Sequence, residues 1–182
     1  MKRLAVLACA MSLVAVGCNE SINPVVPSGV VTLVSQLAAA SNVPPVGYLG
    51  FPTTLEAGAT GSLQMTMTPT TGGAYTASFA LSLKGLVKSG VLPYPLDNGS
   101  AVVAGYVHQG AAGTLGSAVV ALPISQAAPI VSPTGTALIT ISNVDVTAAA
   151  ASGILANPSQ FYFNLYSGLN TAGVLRGQLI KQ

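Results

Sequence analysis

Short segments in which apolar and polar residues alternate place the strongest constraint on how this chain can fold. Leu63, Met65 and Met67 are separated by hydroxyl or amide residues within residues 59–68. Residues 75–86 repeat the pattern after a Gly-Gly pair. Successive side chains of a strand point to opposite faces, so this period of two predicts two half-buried strands. The turn residues between them predict that the two strands form a hairpin.

The rest of the chain predicts more strands and a single short helix. The strands fall at residues 30–39, 101–108, 117–123, 134–142, 160–167 and 172–180. The Ala-rich stretch at residues 146–155 predicts the helix, with Asp145 or Thr147 as its N-cap. A Gly- and Pro-rich loop is predicted at residues 88–100. About eight strands at this spacing are typical of an antiparallel β-sandwich, so we predict an all-β fold.

The composition fits strands buried in a core better than helices that span a membrane. Hydrophobic residues make up 51% of the chain and charged residues 5%. Beyond the N-terminus, however, Gly, Thr, Ser and Pro interrupt every apolar run before it reaches about 18 residues. Two of the six basic residues, Lys2 and Arg3, lie in a segment that we expect to be removed, which leaves four bases against four acids. A neutral chain without a basic face argues against nucleic acid as a partner.

The N-terminus has the features of a bacterial export signal for a lipid-anchored protein. Lys2 and Arg3 precede an apolar stretch at residues 4–16, which is too short to span a membrane as a helix. The sequence Ala-Val-Gly-Cys at residues 15–18 resembles a lipobox, in which Cys18 is acylated and becomes the new N-terminus. A plain secretory signal that is cleaved nearby is the alternative.

The predicted organisation has three parts. They are a lipoprotein signal peptide at residues 1–18, a tether at residues 19–29 and a β-sandwich domain at residues 30–182. Acyl chains such as palmitate on Cys18 would anchor the protein in the cell envelope, and Asn19 after the cysteine favours the outer membrane. The other cysteine, Cys9, lies in the signal peptide, so we expect no disulfide, Cys metal site or Cys nucleophile in the mature domain.

Three segments together resemble the CHRD domain, a module named after chordin and common in exported bacterial proteins. Asn-Val-Pro-Pro-Val at residues 42–46 resembles the family's opening "evPPv", and residues 106–120 resemble its "HiHxGxaGxnGpVv". Residues 161–167, followed by residues 173–179, resemble "yvNvHt…pGeiRGqL". The resemblance runs over roughly residues 30–182 in order and spacing, and it implies a β-sandwich of the immunoglobulin-like type.

The polar positions of the family are only partly matched. Two of its histidines and its glutamate are replaced, by Tyr106, Tyr166 and Val174. The family name supplies no activity. We take the matching polar residues and the two tyrosines as candidate structural or ligand contacts, namely His108, Arg176, Asn164, Tyr106 and Tyr166.

His108 is the only histidine, and a metal or catalytic role would need partners that the sequence does not identify. Zinc and copper sites take about three or four nitrogen, sulfur or oxygen ligands. We therefore expect His108 at the end of a strand, hydrogen-bonded to a neighbouring backbone group. We predict no catalytic residue, no metal ligand and no cofactor.

Arg176 lies within a predicted strand of a domain that has few charges. A buried charge needs a partner, and Asp145, Glu56 and backbone carbonyls are the options. A structural clamp is the favoured interpretation, and contact with a ligand is the alternative.

Two further patterns concern the surroundings of these residues. The Gly-rich segment at residues 109–116 predicts a turn and not a phosphate cradle, because a strand and not a helix follows it. Phe161 and Phe163 are expected in the core. For Tyr162 and Tyr166, packing in the core or around its edge is the favoured interpretation, and a half-exposed contact patch is the alternative.

The sequence is best explained by a non-catalytic envelope lipoprotein with a binding or scaffolding module. Its partners would be the membrane, through the anchor, and a protein or glycan of the envelope. A self-associating structural surface protein is the first alternative, suggested by zero net charge and Thr-rich faces. A metal-binding, dismutase-like sandwich centred on His108 is the second.

Overall fold

The computed structural model describes residues 29–46, 55–88 and 101–182. This part of the chain contains nine strands and one α-helix. They are β1 (Val31–Ala38), β2 (Thr60–Pro69), β3 (Tyr75–Lys84), β4 (Val102–Gln109), β5 (Ala118–Ala121), β6 (Thr136–Val146), α1 (Ala148–Ala156), β7 (Phe161–Ser167), β8 (Leu175–Gln178) and β9 (Ile180–Lys181). The prediction of an all-β fold with one short helix is confirmed. The predicted signal peptide with Cys18, the tether up to residue 28 and the loop from residue 89 to residue 100 lie outside the described residues.

The hairpin that the alternation predicts is formed by β2 and β3. The strands are antiparallel and in register, with Leu63 opposite Leu81 and Met65 opposite Phe79. These side chains are buried, whereas the hydroxyl and amide residues between them face outward. The connecting turn contains Gly72, whose φ of 72° lies in the left-handed region that glycine adopts without strain. The period of two in the sequence therefore corresponds to the inner and outer faces of the sheet.

All strands belong to one antiparallel sheet that folds over onto itself. The strand order is β5-β4-β7-β8-β1-β2-β3-β6, and β9 pairs with β1. Phe79 on β3 and Phe163 on β7 are four strands apart in this order, which is about 19 Å along a sheet. Their ring centroids are nevertheless only 6.1 Å apart. The two halves of the sheet therefore face each other across the core, so one continuous sheet supplies both layers of the predicted sandwich.

The strand β6 and the helix α1 differ in their limits from the predictions. The strand was predicted to end at residue 142, but it continues to Val146 because its pairing with β3 resumes after a shift in register. Asn143 lies at this irregularity with a φ of 59°. The helix therefore begins after Thr147, whose Oγ1 accepts a hydrogen bond from the backbone N–H of Ala150. Of the two predicted N-caps, Thr147 is right and Asp145, which lies within β6, is wrong.

No helix in the described part of the chain is long and apolar enough to cross a membrane.

Candidate functional site

The candidate residues come together on the outer face of three neighbouring strands, β4, β7 and β8. Tyr106, Asn164 and Arg176 are directly opposite one another in one row of the sheet. His108 lies in the adjacent row, opposite Tyr162. Residues between these positions, such as Val107 and Phe163, point into the core. Tyr166 lies two positions beyond Asn164 on β7, so alternation places all five candidates on the same face.

His108 forms hydrogen bonds through both ring nitrogens. Its Nδ1 lies 2.9 Å from the carbonyl oxygen of Gly116. A carbonyl oxygen can only accept, so Nδ1 carries the proton and donates. Nε2 is then the acceptor for the hydroxyl of Tyr166, at 3.1 Å. The predicted hydrogen bond to a neighbouring backbone group is therefore present.

The surroundings of His108 favour its neutral form. Burial lowers the pKa of His108 below its ordinary value of 6.5, and the positive charge of Arg176 lowers it further. The hydrogen bond with Gly116 raises the pKa of His108, but by less than burial lowers it. At neutral pH the imidazole is thus an uncharged link between the loop after β4 and strand β7.

Arg176 ties the loop between β4 and β5 to the sheet. Its side chain is 2% exposed, and its Nη2 donates to the carbonyl oxygens of Ala111 at 3.2 Å and Thr114 at 2.6 Å. Its Cζ lies 3.5 Å from the ring centroid of Tyr162, a distance at which the guanidinium is attracted to the ring face. Of the partners considered from the sequence, the backbone carbonyls are the ones used.

The acidic residues do not pair with Arg176 within the described residues. Asp145 is exposed at the end of β6. Glu56 is 0% exposed and accepts hydrogen bonds of 2.6 Å from Ser167 and from Asn170. Sequence reasoning missed this second buried polar cluster, which joins the turn after β7 to the segment before β2. A Ser followed three residues later by Asn in a turn was the available signal, and it is a weak one.

Tyr162 is buried, which agrees with the favoured packing interpretation and not with a half-exposed contact patch. Only 1% of its surface is exposed, because the loop at residues 110–117 lies over it. The backbone N–H of Gly116 donates to its hydroxyl at 3.1 Å. The ring of His108 stacks on it with centroids 4.9 Å apart and planes 3° apart. Strand β7 lies between β4 and β8, so His108 reaches the ring from one neighbouring strand and Arg176 from the other.

Glycine at position 116 permits the loop to approach the sheet this closely. A Cβ atom there would lie 1.5 Å from the carbonyl oxygen of Gln109, which no packing tolerates. The segment continues directly into strand β5. The predicted turn is confirmed. Gly116 serves close packing, whereas Gly113 has a φ of 76°, in the left-handed region.

The segments that carry the family resemblance meet beside Asn164. Gly173 has a φ of 127°, and a Cβ atom on it would lie 2.4 Å from Oδ1 of Asn42 and 2.7 Å from Nδ2 of Asn164. Asn42 belongs to the Asn-Val-Pro-Pro-Val segment and is 4% exposed. The sequence resemblance therefore coincides with one contiguous region of packing on β7 and β8.

Tyr106 and Tyr166 form the part of this face that remains open to solvent. Both are half-buried, and their rings meet edge to face with centroids 5.6 Å apart. Burial raises the pKa of Tyr166 above its ordinary value of 10.0, so its hydroxyl stays protonated and donates to His108. Tyr106, His108 and Tyr166 are called the aromatic patch below. It offers ring faces and hydroxyl groups without net charge.

Among the residues that the structure describes, no group of three or more His, Cys, Asp and Glu side chains could hold a metal ion.

Comparison with known proteins identifies one relationship. The model of a protein family described as the CHRD domain matches residues 33–179. No curated protein and no solved structure matches the chain. The matched region extends from within β1 to the residue before β9, and it includes every residue of the aromatic patch.

Proposed function

The chain belongs to the CHRD domain family, and we propose that it is a non-catalytic lipoprotein of the cell envelope whose CHRD domain binds or scaffolds a partner. One observation carries this proposal. His108 and Arg176 both hold the loop at residues 110–117 against the sheet. These are the two side chains of the site best suited to acid–base or electrostatic catalysis, and both are used for structure. This arrangement leaves the rings of Tyr106 and Tyr166 as the accessible features.

The aromatic patch has the properties of a contact surface. Tyrosine supplies a large rigid ring at low cost in side-chain entropy, and tyrosines are enriched at protein interfaces. The supporting strands are interior to the sheet, and the loop beside them is clamped by Arg176. Such a surface is preorganised, which lowers the cost of binding. A protein or a glycan of the envelope is the partner that this chemistry favours.

Photochemical crosslinking tests the patch directly. A photoreactive phenylalanine analogue at position 106 in the anchored protein is expected to give a discrete adduct in intact envelopes. The same analogue at Gln126, an exposed loop position, is the matched control. Tyr166→Ala should weaken the adduct at position 106 because it removes half of the paired rings. Identical adducts from positions 106 and 126 would argue against the patch as a binding surface.

The anchor is proposed from the lipobox-like sequence that ends in Cys18. Two acyl chains on one cysteine hold a protein at a bilayer because each buried methylene contributes about 0.8 kcal/mol. Metabolic labelling with palmitate should label the wild type and Cys9→Ser but not Cys18→Ser. Absence of label from all three would instead support a plain secretory signal. Fractionation of the labelled protein should place it in the outer membrane.

A self-associating surface protein is the alternative for which the structure offers an observation. Within the described residues, β6 is an edge strand of the sheet. It carries Leu138, which is 87% exposed, and an exposed edge can pair with another copy. Measuring the molar mass by light scattering over a hundredfold range of concentration distinguishes self-association from the binding of a different partner. A monomer at all concentrations removes this alternative.

The metal-binding alternative depends on His108 and is tested independently. Purified protein would have to contain a stoichiometric metal by elemental analysis, and His108→Ala would have to lose it. Metal-free protein whose properties do not change on this substitution removes the alternative.

A further inference from the structure

A second surface, distinct from the aromatic patch, lies on the outer face of β1, β2, β3 and β6. Two adjoining hollows there have volumes of about 430 Å³ and about 540 Å³ and share Gln36, Ser62 and Ser82 in their walls. Gln64 and Thr140 line the first hollow as well. We call this surface the outer groove.

The register of the sheet creates the outer groove. Gln36, Ser62 and Ser82 stand opposite one another on β1, β2 and β3, in a row that ends at Leu138 on β6. The next row contains Gln64 and Thr140. Neighbouring strands are about 4.8 Å apart, so the first row presents one amide and two hydroxyl groups at that interval, and the second row presents an amide and a hydroxyl group two strands apart. The groove is therefore an ordered array of uncharged polar groups.

The polar side chains of the outer groove are available to a ligand. Within the described part of the chain, Gln36, Ser62, Gln64 and Ser82 use no side-chain hydrogen bond to hold the fold together. Hydroxyl and amide groups each combine donor and acceptor functions. They match a ligand that also carries many groups able to donate and accept, such as the hydroxyls of a sugar.

The charge of the outer groove selects against an ionic ligand. Lys84 lines one end of the second hollow and is the only charged residue in either described lining. Leu138 ends the first row, and Val34 and Ala80 lie in the second, so apolar surface is interspersed with the polar groups. A pyranose ring presents both hydroxyl edges and C–H faces, and this combination is complementary to the groove.

Another kind of occupant fits the geometry less well. Strands β1, β2 and β3 are interior to the sheet, so their backbone groups are paired and cannot bind a peptide as an added strand. A slender, uncharged, hydroxyl-rich chain needs no backbone pairing and can lie across the face.

We propose that the outer groove is a binding site for a neutral oligosaccharide, recognised through Gln36, Gln64 and the serine hydroxyls between them. The site is separate from the aromatic patch, so neither proposal depends on the other.

Calorimetric titration of the purified full-length protein in detergent tests this site, with cellohexaose, maltohexaose and mannohexaose as probes. At least one neutral hexasaccharide is expected to bind. The double variant Q36A/Q64A should weaken binding about tenfold, which corresponds to about 1.4 kcal/mol. Q126A is the matched control, because Gln126 is an exposed glutamine in a loop outside the groove. Thermal unfolding verifies that the variants are folded.

Several results would overturn the proposal. They are the absence of binding by all three hexasaccharides at millimolar concentration, unchanged affinity in Q36A/Q64A, and equal binding of an oligogalacturonate with a charge on each unit. Amide chemical-shift mapping adds a decisive measurement. Shifts on β1, β2 and β3 are expected, and shifts confined to the aromatic patch would assign the sugar to that surface instead.

Discussion

Replacing Arg176 by alanine should destabilise the protein by about 3 kcal/mol, as the following contributions show. The side chain makes two hydrogen bonds to the carbonyl oxygens of Ala111 and Thr114 and covers the ring of Tyr162. Two hydrogen bonds from a charged donor contribute about 1.5 kcal/mol each at the lower limit, and a desolvated cation–π contact contributes about 2 kcal/mol. Water can rehydrate the two carbonyls, because Thr114 is exposed and Ala111 is half-buried. Removal of a buried charge also relieves a desolvation cost, so we subtract about 2 kcal/mol.

Urea unfolding provides the measurement. With a slope of about 2 kcal/mol per molar urea, a loss of about 3 kcal/mol lowers the midpoint by about 1.5 M. Lys84→Ala is the control, because Lys84 is an exposed cation on a strand, and its substitution should change the free energy by less than about 0.5 kcal/mol. Arg176→Lys keeps the charge but cannot reproduce the planar guanidinium group. It should therefore recover less than half of the stability that Arg176→Ala loses.

Hydrogen exchange shows whether the clamp acts through the loop. In Arg176→Ala the backbone amide of Gly116, which donates to the buried Tyr162 hydroxyl, should exchange faster than in the wild type. The clamp is refuted if Arg176→Ala unfolds within about 0.5 kcal/mol of the wild type and this amide is equally protected.

Three further predictions follow from the same structure. Burial lowers the pKa of His108 in the folded state below its ordinary value of 6.5. As the pH decreases through that value, the unfolded chain takes up a proton before the folded chain does, so stability should fall. Urea midpoints should decrease in this way in the wild type and not in His108→Gln. Gly116→Ala places a Cβ 1.5 Å from a backbone carbonyl oxygen, so it should lower the free energy of unfolding in urea by at least about 2 kcal/mol. Gly58→Ala is the control and should be nearly neutral, because nothing lies within 4 Å of the added Cβ. Equal urea midpoints for the two variants would contradict this packing. Glu56→Gln leaves the buried donors of Ser167 and Asn170 facing an amide, so it should lower the free energy of unfolding by about 2 kcal/mol. Asp145→Asn, at an exposed position, is the control and should not change the melting temperature measurably. An unchanged melting temperature in both variants would show that the buried carboxylate is not needed.

The strands were predictable from sequence because, with Ala80 as the exception, the outward residues of β2 and β3 are polar, whereas the inward residues are apolar or glycine. The alternation of Leu63, Met65 and Met67 directly records which face is buried. The end of β6 was not predictable, because strand pairing continues past an irregularity at Asn143 that only the register with β3 reveals. The folding of one sheet into two layers depends likewise on the pairing of β1 with β8, which are distant in sequence.

The candidate site was predictable in its residues and less so in its contacts. Resemblance to the family identified His108, Asn164 and Arg176, and the structure brings them onto one face. The partners of Arg176 are backbone carbonyls, which every residue possesses, so no side-chain pattern could single out Ala111 and Thr114. Packing of Tyr162 was the favoured interpretation, but the contacts that cover it were not predictable for a similar reason, because the covering loop is remote in sequence.

The pairing between β1 and β8 has a mechanical consequence. On one side β1 is joined to β2 along its whole length, from Val31 to Ala38. On the other side it pairs with β8 at Ala38 and with β9 at Leu33 and Val34, and Thr32 accepts one more hydrogen bond from the backbone N–H of Gln182. Force applied from the N-terminal side enters the fold at β1, and this short seam is where the two layers would part first. A load along the chain would thus separate the hairpin half, with the outer groove, from the half that carries the aromatic patch.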